Sequence, residues 1–381
     1  MSMEPLMEEN NEDIKGAIVT IKVFGVGGGG NNVLKRLAES NLADVDLIAV
    51  NTDSDVLGLA GNNRLKAIQI GGNLTRGRGT GGNVSVGEAA AKSDAERLQN
   101  MMNGADMIFI TAAMGGGTGT GVAPVLAKIA RDMGILTVGV VTAPFSFEGK
   151  RKQRIAAEGV IKMQSYMDAL IVVKNDNLMK LQGNSSLTLV DAFRAADSVL
   201  IQAIRCIAEL ILTTGMVNVD FADLTTIFKQ SDSSDAFLGI GRSDVSALKA
   251  VQQAIESPLI ERGLDGARGI IINITGDDNL SLYDVNEATE FIYSKTDDDV
   301  NLILGVVNDN SLAGTVQATI IATNFVDSLA MKSPKLETPK TAPAVARGFN
   351  LDLPVLPRRG GNKNNVIPAF SLFGSKNDSD R

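Results

Sequence analysis

The sequence predicts an α/β protein: a Rossmann-like parallel sheet in the N-terminal half, one long central helix, and a smaller α/β unit after it. Three observations carry this. From residue 17 to about 145, strand-like apolar runs alternate with helically spaced segments, a pattern that requires right-handed crossovers and a parallel sheet. Glycine-rich stretches stand where strands give way to helices. A segment at 189–212 with apolar residues three, four and seven apart then leads into a second group of helices and strands.

In chain order, an acidic arm (1–16) precedes the first strand, AIVTIKVF (17–24). The glycine run 25–30, broken only by Val26, leads into helical NNVLKRLAES. DLIAVNTD (46–53) is the second strand, and the polar stretch GGNLTRGRGTGGN (71–83) precedes a helix near 86–102. MIFITA is the third strand, followed by GGGTGTG (115–121) and the helix VAPVLAKIARDMG; ILTVGVVTAPF is the fourth. These elements make one domain over 17–188. The long helix is expected to bury Phe193, Leu200, Ile204, Ile207 and Ile211 as one stripe and to end before Gly215. The smaller domain, 215–327, holds helical DVSALKAVQQAIES and strand-like GIIINIT, NLILGVV and TVQATIIATNF. Six of the ten prolines lie in 331–381, so 328–363 reads as a disordered linker. Beyond it, from Asn364 through Phe373, NNVIPAFSLF is an apolar island, read as a partner-binding peptide or as a strand docking back on the body.

Composition narrows the chemistry. A chain of 381 residues has length for two domains. Its 44% hydrophobic content supports a buried core, and no apolar run approaches the ~18 residues of a membrane span. The acidic N-terminus has neither a secretory nor an Arg-rich transit pattern, and the single cysteine, Cys206, fits a reducing cytoplasm. With no histidine, Ser-His-Asp catalysis and His-ligated zinc are excluded, which leaves carboxylates, Lys/Arg, hydroxyls, backbone amides or a hard metal ion. The net charge of −8 divides into −13 over 1–330 (27 basic, 40 acidic) and +5 over 331–381 (9 basic, 4 acidic). An acidic body is not a nucleic-acid-binding core, and direct membrane insertion is not expected.

Gly25, Gly27 and Gly30 satisfy G-x-G-x-x-G between a strand and a helix, with Asp53 about 20 residues on, where a dinucleotide fold keeps its ribose acid. This reads as a nicotinamide site or as a tight turn without ligand. A second loop, Gly115, Gly116, Gly117, Thr118, Gly119, Thr120 and Gly121, changes the balance: five of its seven positions lack a side chain, and a helix N-terminus follows. A dehydrogenase has one such loop. With the Gly/Thr/Arg stretch 75–83 as a third, the pattern suggests a triphosphate, while the Walker sequence is missing.

GGGTGTG resembles the tubulin-superfamily signature. With GVGGGGNN, AVNTD, LTRGRGTGGN, PFSFEGKRKQ, KNDNL, AFRAADSVL, NVDFAD, SPLIERGLDGARG and NITGDDNLSLYDV in order, the chain from about 18 to 327 resembles the tubulin/FtsZ GTPase superfamily, specifically its bacterial cell-division branch. The resemblance implies a GTPase that forms head-to-tail filaments for a division ring, binds GTP/GDP with Mg2+, and sits in the cytoplasm at the division site. By resemblance, Gly27, Gly28, Gly29, Gly30, Asn31 and the 115–121 loop hold the phosphates, and Gly79, Thr80, Gly81, Gly82 and Asn83 approach the γ-phosphate. Lys152 stands near phosphate where relatives carry Arg. Glu148 is the expected ribose contact, Asn175 and Asp197 the base readers, and Phe193 a stacking surface. A carboxylate accepts the guanine N1–H and N2–H pair, so Asp197 would select GTP over ATP; read without the resemblance, Asp197 is a solvated position on an amphipathic helix. Asn218, Asp220 and Asp223 are the expected catalytic group, reaching a neighbouring subunit's nucleotide; capping preference alone makes the two carboxylates an N-cap and a first-turn charge.

The sequence departs from the family at Ala113, Ala143, Lys152 and Thr214, and its terminal peptide lacks the usual flanking charges. The tail's expected partners are membrane adaptors or regulators of the division ring. Two other readings stand beside the polymerising GTPase: an NAD-dependent oxidoreductase, and a scaffold that binds nucleotide without hydrolysis.

Overall fold

The computed structural model describes residues 19–40, 42, 44–58, 64–181, 188–212, 219–230, 233–260, 263–297 and 299–325. The acidic arm, Thr214, Gly215, Asn218, the linker and the terminal peptide lie outside them. In chain order the elements are β1 (Ile21–Val26), α1 (Gly27–Glu39), β2 (Val45–Asn51), α2 (Ser54–Gly58), β3 (Leu65–Gln69), α3 (Gly72–Thr75), α4 (Val84–Ser93), α5 (Ala95–Met102), β4 (Met107–Ala113), α6 (Gly117–Asp132), β5 (Leu136–Ala143), α7 (Lys150–Gln164), β6 (Ala169–Lys174), α8 (Asn175–Leu181), α9 (Leu189–Leu212), α10 (Phe221–Lys229), β7 (Asp235–Ser243), α11 (Ala247–Ile255), β8 (Gly269–Gly276), α12 (Leu282–Tyr293), β9 (Asn301–Asn308) and β10 (Val316–Thr323).

The ten strands of the described residues form one sheet in the order β3-β2-β1-β4-β5-β6-β7-β10-β8-β9. β1 to β6 are parallel, and the order reverses between β1 and β4, the crevice where open α/β sheets bind ligands. β6 and β7 join the two halves through two register pairs, Leu170↔Asp235 and Ile171↔Ala236. β10 runs antiparallel to both of its neighbours. The short β9–β10 connection has no room for the crossover that a parallel strand requires.

Strand alternation sorts the core. On one face Ile21, Val23, Phe109, Val138 and Ile171 pack with α1, α9 and α10, and Leu238, Ile271 and Ile321 continue the same cluster across the second half. On the other, Phe24, Ile110 and Val141 meet α4, α5, α6 and α7. α11 and α12 cover a third cluster with Ile270, Ile272 and Ile320.

Several sequence expectations are redrawn. The glycine run is not a loop: Gly25 ends inside β1 and Gly27 opens the first turn of α1. The helix expected near 86–102 is two helices, interrupted at Asp94, whose carboxylate accepts the Gly71 N–H at 2.7 Å and an Arg97 N–H at 2.6 Å. β3 and β6 add two strands to the four read from sequence. β3 is an edge strand with exposed Lys66 and Ala67, so its apolar signal is thin. The long helix has the expected ends and buries Leu200, Ile204 and Ile207, but Phe193, in its first turns, is 41% exposed and meets Phe145 instead of joining the buried stripe.

Candidate functional site

The C-terminal ends of β1 and β4 open into a cleft of about 260 Å3, lined by Gly27, Gly28, Gly29, Thr80, Gly115, Gly116, Gly117, Thr118, Gly119, Glu148 and Lys152. Val26, Ala113 and Met114 complete it; of these only Ala113 drew notice from the sequence, as a departure from the family pattern. α1 and α6 both begin here, so two sets of unpaired first-turn N–H groups and two positive helix ends converge on one space. That arrangement suits an anion with more than one charged group.

The glycines serve two different ends. Gly28 and Gly116 have open space where a Cβ would stand, so a side chain there would occupy the cleft. Gly117 was expected to leave room for phosphate. A Cβ on it would instead meet Asn83 N at 2.7 Å and Gly82 C at 2.8 Å, so its bareness lets α6 pack under the 79–83 loop. Gly79, Gly81 and Gly82 in that loop all have positive φ. Asn83 caps α4, accepting the Ser85 N–H at 3.0 Å.

Hydroxyls order the loops. Thr118 shares a 2.8 Å hydrogen bond with Thr52, and Thr80 stands 3.4 Å from Thr118, which ties the ends of β2, the 79–83 loop and α6 together. Thr120 is buried and accepts the Gly115 N–H at 2.8 Å; it and Gly121 line the groove behind α6 rather than the cleft. Gly30 packs against the Thr111 carbonyl. Asn31 is buried, donating to Gly25 O at 2.9 Å and accepting from Asn51 at 2.7 Å. These residues build the cleft from behind.

A second group lies beside it. Glu148 accepts the Phe145 N–H at 3.0 Å and pairs with Lys152 at 3.0 Å. Phe145 stacks on Phe147 at 5.0 Å and meets Phe193 edge-on at 5.4 Å. Asp176 accepts the Ser146 N–H at 2.9 Å, bringing the start of α8 alongside. There Asn175, 4% exposed, has an Oδ1 without a hydrogen-bond partner among the described residues. Asp197, one turn after Phe193 on α9, faces Arg36 of α1 at 3.4 Å. Burial pushes the Asp197 carboxyl up to about 6, and the Arg36 charge only partly opposes this. Arg36 was missed from the sequence; only the α1–α9 packing reveals it. Asp53, the candidate ribose acid of the dinucleotide reading, instead caps α2, accepting the Asp55 N–H at 3.0 Å.

Asp220 and Asp223 are elsewhere. Asp220 is the N-cap of α10, accepting the Ala222 N–H at 3.2 Å, and Asp223 lies in its first turn; both are exposed. α10, which follows α9 in the chain, packs through Leu224, Ile227 and Phe228 into the core cluster that α9 shares. Asn218 lies outside the described residues.

Fold and cleft together define a nucleotide-binding α/β protein with paired phosphate-type helix starts. Residues 20–183 match the Tubulin/FtsZ family GTPase domain, and 234–326 match the FtsZ family C-terminal domain. An FtsZ from M. jannaschii, solved as an empty dimer, is 40% identical over 80% of this chain and 88% of that one, with a TM-score of 0.76. The chain belongs to the tubulin/FtsZ family of GTPases, and within it to FtsZ. CetZ2 of Haloferax volcanii, in a GTPγS-bound protofilament, shares the fold at 21% identity, with a TM-score of 0.66 over 81% and 94% of the chains. CetZ1 of the same organism, a GDP-bound monomer, does so at 18% identity with a TM-score of 0.69. The membership replaces the oxidoreductase reading: the chain is a GTP-binding, GTP-hydrolysing protein of a filament-forming class.

Proposed function

We propose that this GTPase stacks head to tail into a division-ring filament and hydrolyses each GTP between two subunits. The carrying observation is the separation of the nucleotide cleft from Asp220 and Asp223. α9 has 24 residues, which at 1.5 Å rise spans ~36 Å. Phe193 and Asp197 near its start lie with the cleft group, whereas α10 follows its far end. The exposed carboxylates therefore act on the nucleotide of the next copy. A heterologous contact of this kind repeats without closing, which makes a filament. The relatives solved as a dimer and as a protofilament support self-association.

In the shared site the first turns of α1 and α6 hold phosphate charge while Asp220, Asp223 and Asn218 of the following subunit orient the attacking water. Asp197 and Asn175 read guanine, Phe193 packs on the ring, and Glu148 meets the ribose. Among the described residues the one carboxylate lining the cleft, Glu148, is held by Lys152. Mg2+ would therefore be held chiefly by phosphate oxygens, with threonine hydroxyls as hard partners, and would supply charge neutralisation. Residues 364–373 engage membrane adaptors or regulators at the cytoplasmic division site; among the described residues no helix is long and apolar enough to cross a membrane.

GTP turnover per molecule, measured against protein concentration with light scattering in parallel, tests the shared site. Turnover should rise steeply at an assembly threshold. Constant turnover per molecule across that threshold would refute it.

A further inference from the structure

A groove of about 700 Å3 runs between α4, α6 and α7, away from the cleft. Its apolar wall is Pro124, Val125, Ile129, Ile161 and Tyr166, and Ile161 is 65% exposed at its lip. Lys92, Lys128 and Lys162 rim it against Glu88 and Asp132. Glu88 is shared by two of the lysines, Lys92 at 2.6 Å and Lys162 at 3.5 Å, so the rim keeps surplus positive charge although residues 19–330 carry a net −9 (26 basic, 35 acidic). An apolar slot with a cationic rim fits an acidic amphipathic segment.

The chain itself carries one. In residues 1–18, Met3, Leu6 and Met7 are interspersed with Glu4, Glu8 and Glu9, and Pro5 keeps the residue before it extended, so the segment offers three apolar side chains set among acidic ones. The segment has five acidic residues and one lysine. It joins the body at the right end. Thr20 N–H donates to Asp106 at 2.8 Å, and Leu136 N–H donates to Asp106 O at 3.2 Å, which places the start of β1 beside β4 and β5 at the edge where α6 ends. Lys128, Ile129 and Asp132, in the last turns of α6, line the groove at that same end. Residues 10–18 span up to ~30 Å when extended, enough to carry Met3–Met7 into the slot.

We propose that residues 3–9 of the chain's own N-terminal arm dock in this groove in cis, with Met3, Leu6 and Met7 against Ile161, Val125 and Ile129 and the glutamates on the lysine rim. The site is independent of the nucleotide reading, since Asp197, Asp220 and the cleft-lining loops take no part in it.

The test is disulfide trapping in the full-length protein, where the single native cysteine, Cys206, is buried and cannot compete. Leu6→Cys is paired in turn with Ile161→Cys and with Lys128→Cys at the two sides of the groove. Leu6→Cys with Val245→Cys, 77% exposed on the β7–α11 connection, is the control. Docking predicts an intramolecular disulfide in at least one groove pair forming about ten-fold faster than in the control, and slowing several-fold in 0.5 M salt as the lysine–glutamate attraction is screened. Rates equal to the control in both groove pairs would overturn the proposal, as would a disulfide that links two chains instead of one.

Discussion

Asp197 offers the sharpest perturbation of the nucleotide site. Its carboxyl titrates at about 6 because burial disfavours the charge. On the proposed base-reading role, only the ionised form of Asp197 accepts both guanine donors, so affinity should follow ionisation. On that midpoint the carboxylate is ~90% ionised at pH 7 and ~10% at pH 5, and GTP binding should weaken about ten-fold between them. Asp197→Asn removes the charged acceptor pair. It should cost ~1.5–3 kcal/mol of GTP affinity at pH 7, roughly 10- to 150-fold, and narrow the GTP/ATP ratio. The nucleotide's own phosphate titration is common to both proteins and cancels in their ratio. Stability should move the other way. The folded carboxyl lies above its ordinary value, so its charge costs stability fully above about pH 6, and the cost vanishes as pH falls towards 4. The neutral Asn escapes that cost, and Arg36, about a third exposed, stays solvated. Nucleotide-free Asp197→Asn should therefore melt a few degrees higher at pH 7.5. Calorimetric titration from pH 5 to 8 with thermal melts of both proteins decides this. Identical pH dependence of GTP binding in wild type and Asp197→Asn would refute the base-reading role.

Other substitutions separate the parts of the mechanism. Gly116 has φ −91°, ordinary for any residue, and open space at its Cβ, so Gly116→Val should keep the melting temperature and lower GTP affinity at least 100-fold; near-normal affinity would unseat the cleft. Gly117→Ser should lose binding together with ~1–3 kcal/mol of stability, because it displaces the 79–83 loop, and a melt distinguishes it from Gly116→Val. Asp223→Ala should bind GTP normally, cost at most ~1 kcal/mol of helix-terminus charge, hydrolyse little, and poison wild-type assembly when mixed in. Removing 364–381 should spare turnover and light scattering but abolish positioning in cells, which fluorescence microscopy of the truncated protein reads directly.

Much of the cleft was legible because a lining built from close-approaching backbone leaves a compositional mark. A loop that must bring N–H groups close to an anion sheds its side chains, so 115–121 stands out by glycine alone. The spacing in 189–212 likewise fixed both ends of α9, since a buried helical face must repeat every three or four residues. The roles within these motifs were less legible. Gly116 and Gly117 are adjacent and chemically identical, yet one borders open cleft and the other a packed loop. Thr118 and Thr120 are two apart in one helix turn, so one meets Thr52 at the cleft and the other is turned inward to Gly115.

The sequence by itself determined the alternation of strands and helices, the phosphate-binding chemistry, the absence of histidine catalysis and the family resemblance, because each is written in local composition and period. Only the tertiary structure decided what depends on residues distant in the chain. Arg36 and Asp197 are 161 positions apart and meet because α1 and α9 pack on the same sheet face. β10 slots between β7 and β8 through register pairs that no local pattern encodes. Spacing along the chain constrains neighbours within a few turns; contacts across a sheet are chosen by which faces bury one another, and that choice exists only once the whole core is assembled.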